Sequence, residues 1–375
     1  MINVYLWQKE GWPNFTWNDS ELSCILAEAH RLQGILAGRM SLFGMEQRNK
    51  SLIDVMTDEI LNSSNIEGER LDHDSVRSSL AKHLRIEMEG LPNNNHYIDG
   101  IVQVMIDATS NCNAPLSESR LFDWHAALFP TGRSGPFPIT VANWRKGEEP
   151  MRVVSGALGK EKTHFEAPPS SLVAEMMHNF LEWIESEKNI DFFVKTAVAH
   201  LWFVTIHPFD DGNGRLCRTI TEMLLSRGDK MQHRYYSLSS EIMMKRKQYY
   251  DILEATQKGD LDITSWISWF LQTIVNAFNT SIAKTELLVQ KVAFWDNHRN
   301  DSFNERQRKI INMLFDGFEG KLNSSKWAKI NKCSQDTAGR DIQDLLIRHI
   351  LQKSEEGGRS TNYELNLDAS QSFIA

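Results

Sequence analysis

Between Asp191 and Arg227 the sequence leaves few choices of fold. Phe193, Val194, Ala197, Val198, Leu201, Trp202 and Val204 form a dense apolar run at helical spacing. It predicts a buried helix over Asp191–Thr205 that delivers His207 from the core, and Pro208 bars its continuation. From His207 to Arg218 the chain then reads HPFDDGNGRLCR, with a histidine, two acids, a Gly-Asn-Gly turn and two arginines around one reversal. A second helix is expected from Arg215 to Arg227, with the positive end of its dipole toward the loop.

That combination suits phosphate chemistry. Gly212 and Gly214 flank Asn213, permit positive φ and expose successive N–H groups as a concave anion site at a helix start. Arg215 in the first turn and Arg218 three residues on are expected to face the same anion. His207 has an ordinary pKa near neutrality and is the natural proton acceptor. Asp211 is the available hard-metal ligand, since magnesium on nucleotide phosphates typically takes one or two protein carboxylates.

At every defining position the string resembles the signature of the Fic family, His-Pro-Phe-x-Asp/Glu-Gly-Asn-Gly-Arg-x-x-Arg. The resemblance spans about Asn49 to Ser281. It implies a mainly α fold, a Fic-type helical bundle with a small β-hairpin flap, and transfer of AMP from ATP to a Ser, Thr or Tyr hydroxyl of a target protein or of the chain itself. The implied roles are His207 as base, Gly212, Asn213 and Gly214 around the α and β phosphates, and Asp211 on Mg2+. Arg215 would neutralise the leaving pyrophosphate and Arg218 would hold the γ-phosphate. Tyr249, Tyr250 and Gln257, in YYDILEATQKGD, resemble the segment that lines the family's base pocket, although their helical spacing fits core packing equally well. The same site run in reverse would remove AMP, with Glu67 orienting water. A nucleotide-sensing transcriptional regulator is the alternative from another class.

Ser63 and Glu67 are four apart on one helix face, with Gly68 placed to end that helix. They resemble the family's inhibitory motif, Ser/Thr-x-x-x-Glu-Gly/Asn. A Glu67 carboxylate reaching Arg218 competes for the guanidinium that the γ-phosphate needs, because bidentate pairing is geometrically exclusive. The expectation is an autoinhibited enzyme.

Three regions separate by pattern. Residues 1–110 form a helical N-terminal region, with apolar stripes such as Leu22, Ile25, Leu26 and Ala29 and then Leu52, Val55, Met56 and Ile60. Trp7, Trp12, Phe15 and Trp17 read as packing anchors. Residues 111–285 hold the catalytic core, interrupted from Pro130 to Pro169 by too many prolines and glycines for a helix. Within that break Met151–Ser155 and Thr163–Phe165 are expected to pair across a Gly156–Lys162 turn, in the position of the family's flap. Asn143-Trp144-Arg145, just before it, also recurs in the family. His200 reads as a packed histidine, because no partner ligands accompany it.

In residues 301–375 helices are expected at Glu305–Phe315, Ser324–Ile330 and Gln335–Ile350, then a Lys353–Leu367 hairpin turning at Gly357 and Gly358. The order looks like a winged-helix-like domain. Its eleven Lys and Arg balance eleven Asp and Glu, which weighs against DNA despite a local patch of Lys326, Lys329, Lys332, Arg340 and Arg348. A formal net charge of −8 likewise disfavours bulk attraction to nucleic acid or anionic membrane. Cys24, Cys112, Cys217 and Cys333 are widely spaced, without a C-x-x-C pair, which fits a reducing compartment. A cytoplasmic protein is expected, partnered by ATP and a hydroxyl-bearing protein, with a homodimer expected from the family and no membrane contact.

Overall fold

Residues 4–87, 96–155, 162–229, 231, 233–315, 318, 320–354 and 361–366 are described by the computed structural model. Along the chain run α1 (Asp19–Ser41), α2 (Met45–Ile66), α3 (His73–Leu84), α4 (His96–Ser110) and α5 (Glu118–Leu128). Two antiparallel hairpins follow, β1 (Arg133–Ser134) with β2 (Phe137–Pro138) and β3 (Arg152–Ser155) with β4 (Lys162–Glu166). Then come α6 (Ser170–Ser186), α7 (Phe192–Ile206), α8 (Asn213–Gly228), α9 (Leu238–Met244), α10 (Arg246–Gln257) and α11 (Thr264–Asn297). The chain continues with α12 (Glu305–Phe315), α13 (Ser324–Asn331), α14 (Gln335–Ile347) and the hairpin of β5 (Leu351–Lys353) and β6 (Tyr363–Leu365).

Met1–Ala37 and Met45–Ser281 cluster as one unit, and Gly38–Gly44 with Ile282–Ala375 as another. The N-terminal helices and the expected catalytic core therefore share a single compact unit. At its centre is α7, with Phe193, Val194, Ala197, Val198, Leu201 and Phe203 all buried. A helix apolar on every face has to be surrounded, and α6 and α8 pack against it. Trp266 of α11 donates its indole N–H to the Ala197 carbonyl at 2.7 Å. On the outer side of α8 lie α2, α4 and α5, and α2 also packs along α9.

Of the N-terminal aromatics Trp7, Trp12 and Phe15 are anchors, as expected, while the Trp17 indole donates to Asp19 at 2.8 Å in an exposed hydrogen bond. Trp12 and Phe15 meet Trp202 edge-on at 6.2 and 5.8 Å. Tyr5 and Trp7 do something the spacing does not reveal. Tyr5 meets Phe165 of β4 edge-on at 5.2 Å, and the Trp7 indole donates to the Glu166 carbonyl at 2.8 Å. The start of the chain thus packs on the β3–β4 hairpin. In that hairpin Arg152 pairs with Glu166 and Ser155 with Lys162, with an irregularity between Val153 and Val154. The expected Gly156–Lys162 turn, apart from Lys162, lies outside the described residues.

The other unit has its own core of Phe294, Phe303, Ile310, Ile311, Trp327, Ile342 and Leu345. Inside it Asp341 accepts from Arg306 at 2.7 and 3.0 Å and from Asn304 at 2.8 Å. Three helices and a hairpin follow in the expected order, with two corrections. Helix α14 ends at Ile347, not Ile350, because His349 takes a left-handed φ of 55° and the Ile350 N–H turns back to the Leu345 carbonyl at 2.9 Å. Its first strand consequently begins at Leu351, before Lys353. Gly357, Gly358 and Leu367 lie outside the described residues. Of the basic patch, Arg348 is already paired with Asp301 and Asp344. All four cysteines are free thiols. Among the described residues no helix is long and apolar enough to cross a membrane.

Candidate active site

Asp191 does not begin the central helix but caps it, accepting from the Phe193 N–H at 2.9 Å, and at the other end α7 runs one residue further than expected, to Ile206. The exit lies at His207 itself, whose left-handed conformation (φ 53°, ψ 60°) turns the chain before Pro208. Such backbone is costly for a residue with a Cβ and persists only where neighbours hold it. Arg145, 4% exposed, does the holding. Its side chain donates to the carbonyls of His207 at 2.8 Å and Pro168 at 2.5 Å, and its backbone N–H to Pro208 at 3.0 Å.

The His207 ring is oriented by Nδ1, 3.2 Å from the Val204 carbonyl. A carbonyl only accepts, so Nδ1 carries the proton and Nε2 keeps its lone pair. Burial lowers the imidazole pKa below its ordinary value, with the Val204 carbonyl opposing the shift.

After Phe209 the Asn213 amide closes the loop on itself, accepting from the Phe209 N–H at 2.9 Å and donating to the Phe209 carbonyl at 2.8 Å. Gly212 takes φ 83°, and a Cβ there would lie 2.7 Å from the Phe129 ring, so only glycine fits on both counts. Helix α8 starts at Asn213, two residues before the expected Arg215. Its first-turn N–H groups have no intrahelical acceptor and sit at the positive end of the dipole, an anion site by construction.

One wall of a cavity of about 830 Å³ is formed by His207, Asp210, Asp211 and Gly212–Gly214. Facing them are Tyr249, Tyr250 and Gln257 of α10, with Met151–Val154 of the hairpin along the rim. Asp211 accepts from the Gly212 N–H at 2.5 Å and from the Ser134 hydroxyl, and Asp210 from the Thr140 N–H at 2.8 Å. Among the described residues no group of three or more His, Cys, Asp or Glu side chains is disposed to hold a metal. Tyr249 is buried and its hydroxyl meets His200 Nε2 at 2.9 Å, while His200 Nδ1 meets Thr221 at 2.8 Å. Burial pushes His200 down to about 3, the signature of a neutral packed histidine. Gln257 donates to Thr205 at 3.3 Å, and Tyr250 to the Ile66 carbonyl at 3.3 Å.

Neither Arg215 nor Arg218 lines the cavity. Arg218 sits 1% exposed behind Gly214, donating to the Ser63 hydroxyl at 2.9 Å, the Ser63 carbonyl at 2.7 Å and Glu67 at 2.8 Å. Burial opposes its charge, and the Glu67 carboxylate outweighs that, raising its pKa. Its Nη1 is buried without a hydrogen-bond partner among the described residues. The Glu67 carboxylate rests against the Gly214 backbone, within the cavity lining. Gly68 follows at φ 85°. Ser63 and Glu67 thus reach Arg218 from one helix face, with Gly68 turning the chain after them, whereas Arg215 turns to Glu69, Tyr97 and the Phe129 ring.

Sequence reasoning passed over several residues that shape this site. His125 is fully buried, stacks on Phe209 at 4.3 Å, accepts from the Ala142 N–H at 3.3 Å and lies 3.1 Å from the Asp211 carbonyl. Nδ1 accepts, so Nε2 donates, and one neutral ring ties two loops together. A histidine on the apolar face of a helix was the available signal. Glu69, Ser134 and Tyr97 carried none.

Residues 5–86 match a domain of unknown function (DUF4172), and residues 115–225 match the Fic/DOC family. The chain is 28% identical over 104 residues to the probable protein adenylyltransferase of Aquifex aeolicus, covering 28% of this chain and 30% of that one. It is 24% identical over 241 residues to the protein adenylyltransferase Fic of Drosophila willistoni, covering 62% of this chain and 44% of that one. The matches thus span less than half the length of these curated relatives. A Fic family protein from Desulfovibrio desulfuricans shares the fold, with a TM-score of 0.56 over 94% of this chain and 98% of that one at 17% identity.

Proposed function

We propose that this chain, which carries a Fic/DOC-family domain, is a protein adenylyltransferase that moves AMP from ATP to a Ser, Thr or Tyr hydroxyl of a target protein, itself included, and is held in check by Glu67. One observation carries the reading. A carboxylate, Glu67, rests on the helix-start glycine Gly214, pairs with the buried Arg218, and lines the same cavity as His207. A negative group already lies where the anion site predicts a phosphate.

In the reaction, the incoming hydroxyl oxygen attacks the α-phosphorus as His207 Nε2 takes its proton. The α–β phosphoanhydride bond breaks and pyrophosphate leaves. Little covalent work falls to the protein, so alignment and electrostatics set the rate. The first-turn amides of α8 hold the phosphates, Arg218 takes the γ-phosphate once Glu67 withdraws, and Tyr249, Tyr250 and Gln257 wall the adenine. Asp211 fits a magnesium ion that arrives on the nucleotide, because such an ion needs one or two carboxylates and not a protein cage. When bound, the ion would neutralise phosphate charge. The β3–β4 hairpin suits a docking edge that accepts varied side chains through backbone pairing. Residues 301–375 we read as a winged-helix-like domain for packing or oligomerisation.

The test is incubation of wild type, Glu67→Gly and His207→Ala with α-labelled ATP and magnesium in a cell lysate. Label on the chain or on a lysate protein, strongest with Glu67→Gly and absent with His207→Ala, supports the reading. Label equal in all three overturns it.

A further inference from the structure

Both arginines of the loop are engaged, and by carboxylates only two residues apart. Arg218 donates to Glu67 at 2.8 Å, and Arg215 donates through Nη1 to Glu69 at 2.9 Å. Gly68 lies between the two acids in the left-handed region, at φ 85°. That turn sends consecutive odd-numbered side chains to two arginines spaced three apart on α8. A Cβ at Gly68 would meet nothing within 4 Å, so its glycine serves the turn and not the space.

The grip on Arg215 is built from more than one group. Its Nη1 also donates to the Tyr97 hydroxyl at 2.9 Å, and Tyr97 in turn donates to Glu69. Burial pushes the Tyr97 hydroxyl up to about 12, so it stays a neutral donor and acceptor at working pH. The guanidinium lies over the Phe129 ring at 4.9 Å, and the residue is 8% exposed. Thus oriented, Arg215 is outside the cavity lining, although it stands in the first turn of α8 beside the phosphate site.

We infer that Glu69 is a second inhibitory carboxylate, which with Tyr97 holds Arg215 away from the nucleotide as Glu67 holds Arg218. This rests on the adenylyltransferase reading. Removing Glu67 frees one arginine and leaves the other latched, so Glu67→Gly yields a partly released enzyme. The competing role for Glu69, a strut that presents Arg215 to ATP, predicts the opposite sign when it is removed.

The experiment compares Glu67→Gly, Glu67→Gly/Glu69→Gln and Glu67→Gly/Tyr97→Phe for Mg-ATP affinity by calorimetry and for transfer of α-labelled AMP. Thermal unfolding verifies that each is folded. A partly exposed charged pair is worth a modest factor, so Glu69→Gln is expected to tighten ATP binding and raise transfer roughly threefold to tenfold over Glu67→Gly. Tyr97→Phe, which leaves the carboxylate, gives a smaller rise. A double variant that equals or falls below Glu67→Gly in both readouts overturns the second lock while leaving the adenylyltransferase reading intact. Tighter ATP binding without AMP transfer by any variant would sink the adenylyltransferase reading and sustain the lock on the anion site.

Discussion

Removing the Glu67 carboxylate should release the enzyme by about an order of magnitude, and the figure follows from how the pair sits. A hydrogen bond to a charged group is worth about 1.5–3 kcal/mol. Arg218 is sealed at 1% side-chain exposure but Glu67 is 36% exposed, so water screens the pair from one side and the low end applies, about 1.5 kcal/mol. At 1.4 kcal/mol per decade this is about tenfold in the fraction of molecules with the γ-phosphate site open. The change is local. Ser63 still holds Arg218 through its hydroxyl and carbonyl, and Arg246 and Tyr250 still fix the end of α2 through the Ile66 carbonyl. Arg218 thus stays in place while its competitor goes. Initial rates of AMP incorporation from α-labelled ATP, for wild type, Glu67→Gly and the isosteric Glu67→Gln, measure the effect directly. A Glu67→Gly protein of native melting temperature and unchanged rate would refute the competition between carboxylate and phosphate.

His207→Ala should cost about 100-fold to 10,000-fold in transfer while leaving ATP affinity within a few-fold, because a general base acts on the proton and not on the nucleotide; single-turnover kinetics and calorimetry separate the two. Arg145→Ala should destabilise the fold by about 2–4 kcal/mol in denaturant unfolding, since it strips donors from buried carbonyls around a left-handed residue. Two buried groups contribute to the pH dependence of stability on opposite sides. His200 is pushed down by burial to about 3 from 6.5, so the unfolded chain binds its proton first and stability falls as pH drops from 6.5 toward 3. Glu222, raised by burial to about 8 from 4.5 despite its Arg234 partner, contributes stability below 4.5 that is lost as pH rises through 8. Melting temperatures should therefore drop less between pH 5 and 8 in Glu222→Gln than in wild type.

What the sequence made legible was local in the chain. The apolar run before His207, the glycines around Asn213 and the four-residue step from Ser63 to Glu67 each state a geometry that the backbone must adopt, and each is present within a residue or two of its expected bounds. Helix α7 runs past the expected Thr205 to Ile206, and a left-handed His207 held by Arg145 turns the chain before Pro208 is reached. What stayed hidden depends on segments far apart in sequence. Tyr5 and Trp7 support the hairpin some 160 positions away, the Trp7 indole reaching Glu166 across 159 residues. Glu59 accepts from Ser237 and Ser239 across the α2–α9 contact, and Glu69 reaches Arg215 across 146 residues. No periodicity encodes such pairings. Only the Glu69 pairing lies next to a turn the sequence marks, at Gly68 with φ 85°.

The direct test of the central claim is to offer the Glu67→Gly protein ATP labelled either at the α- or at the γ-phosphate and to follow acid-stable label on protein. Attack at the α-phosphorus beside His207 predicts that α-label is retained and γ-label leaves with pyrophosphate. Retention of γ-label, or of neither, would contradict AMP transfer at this site.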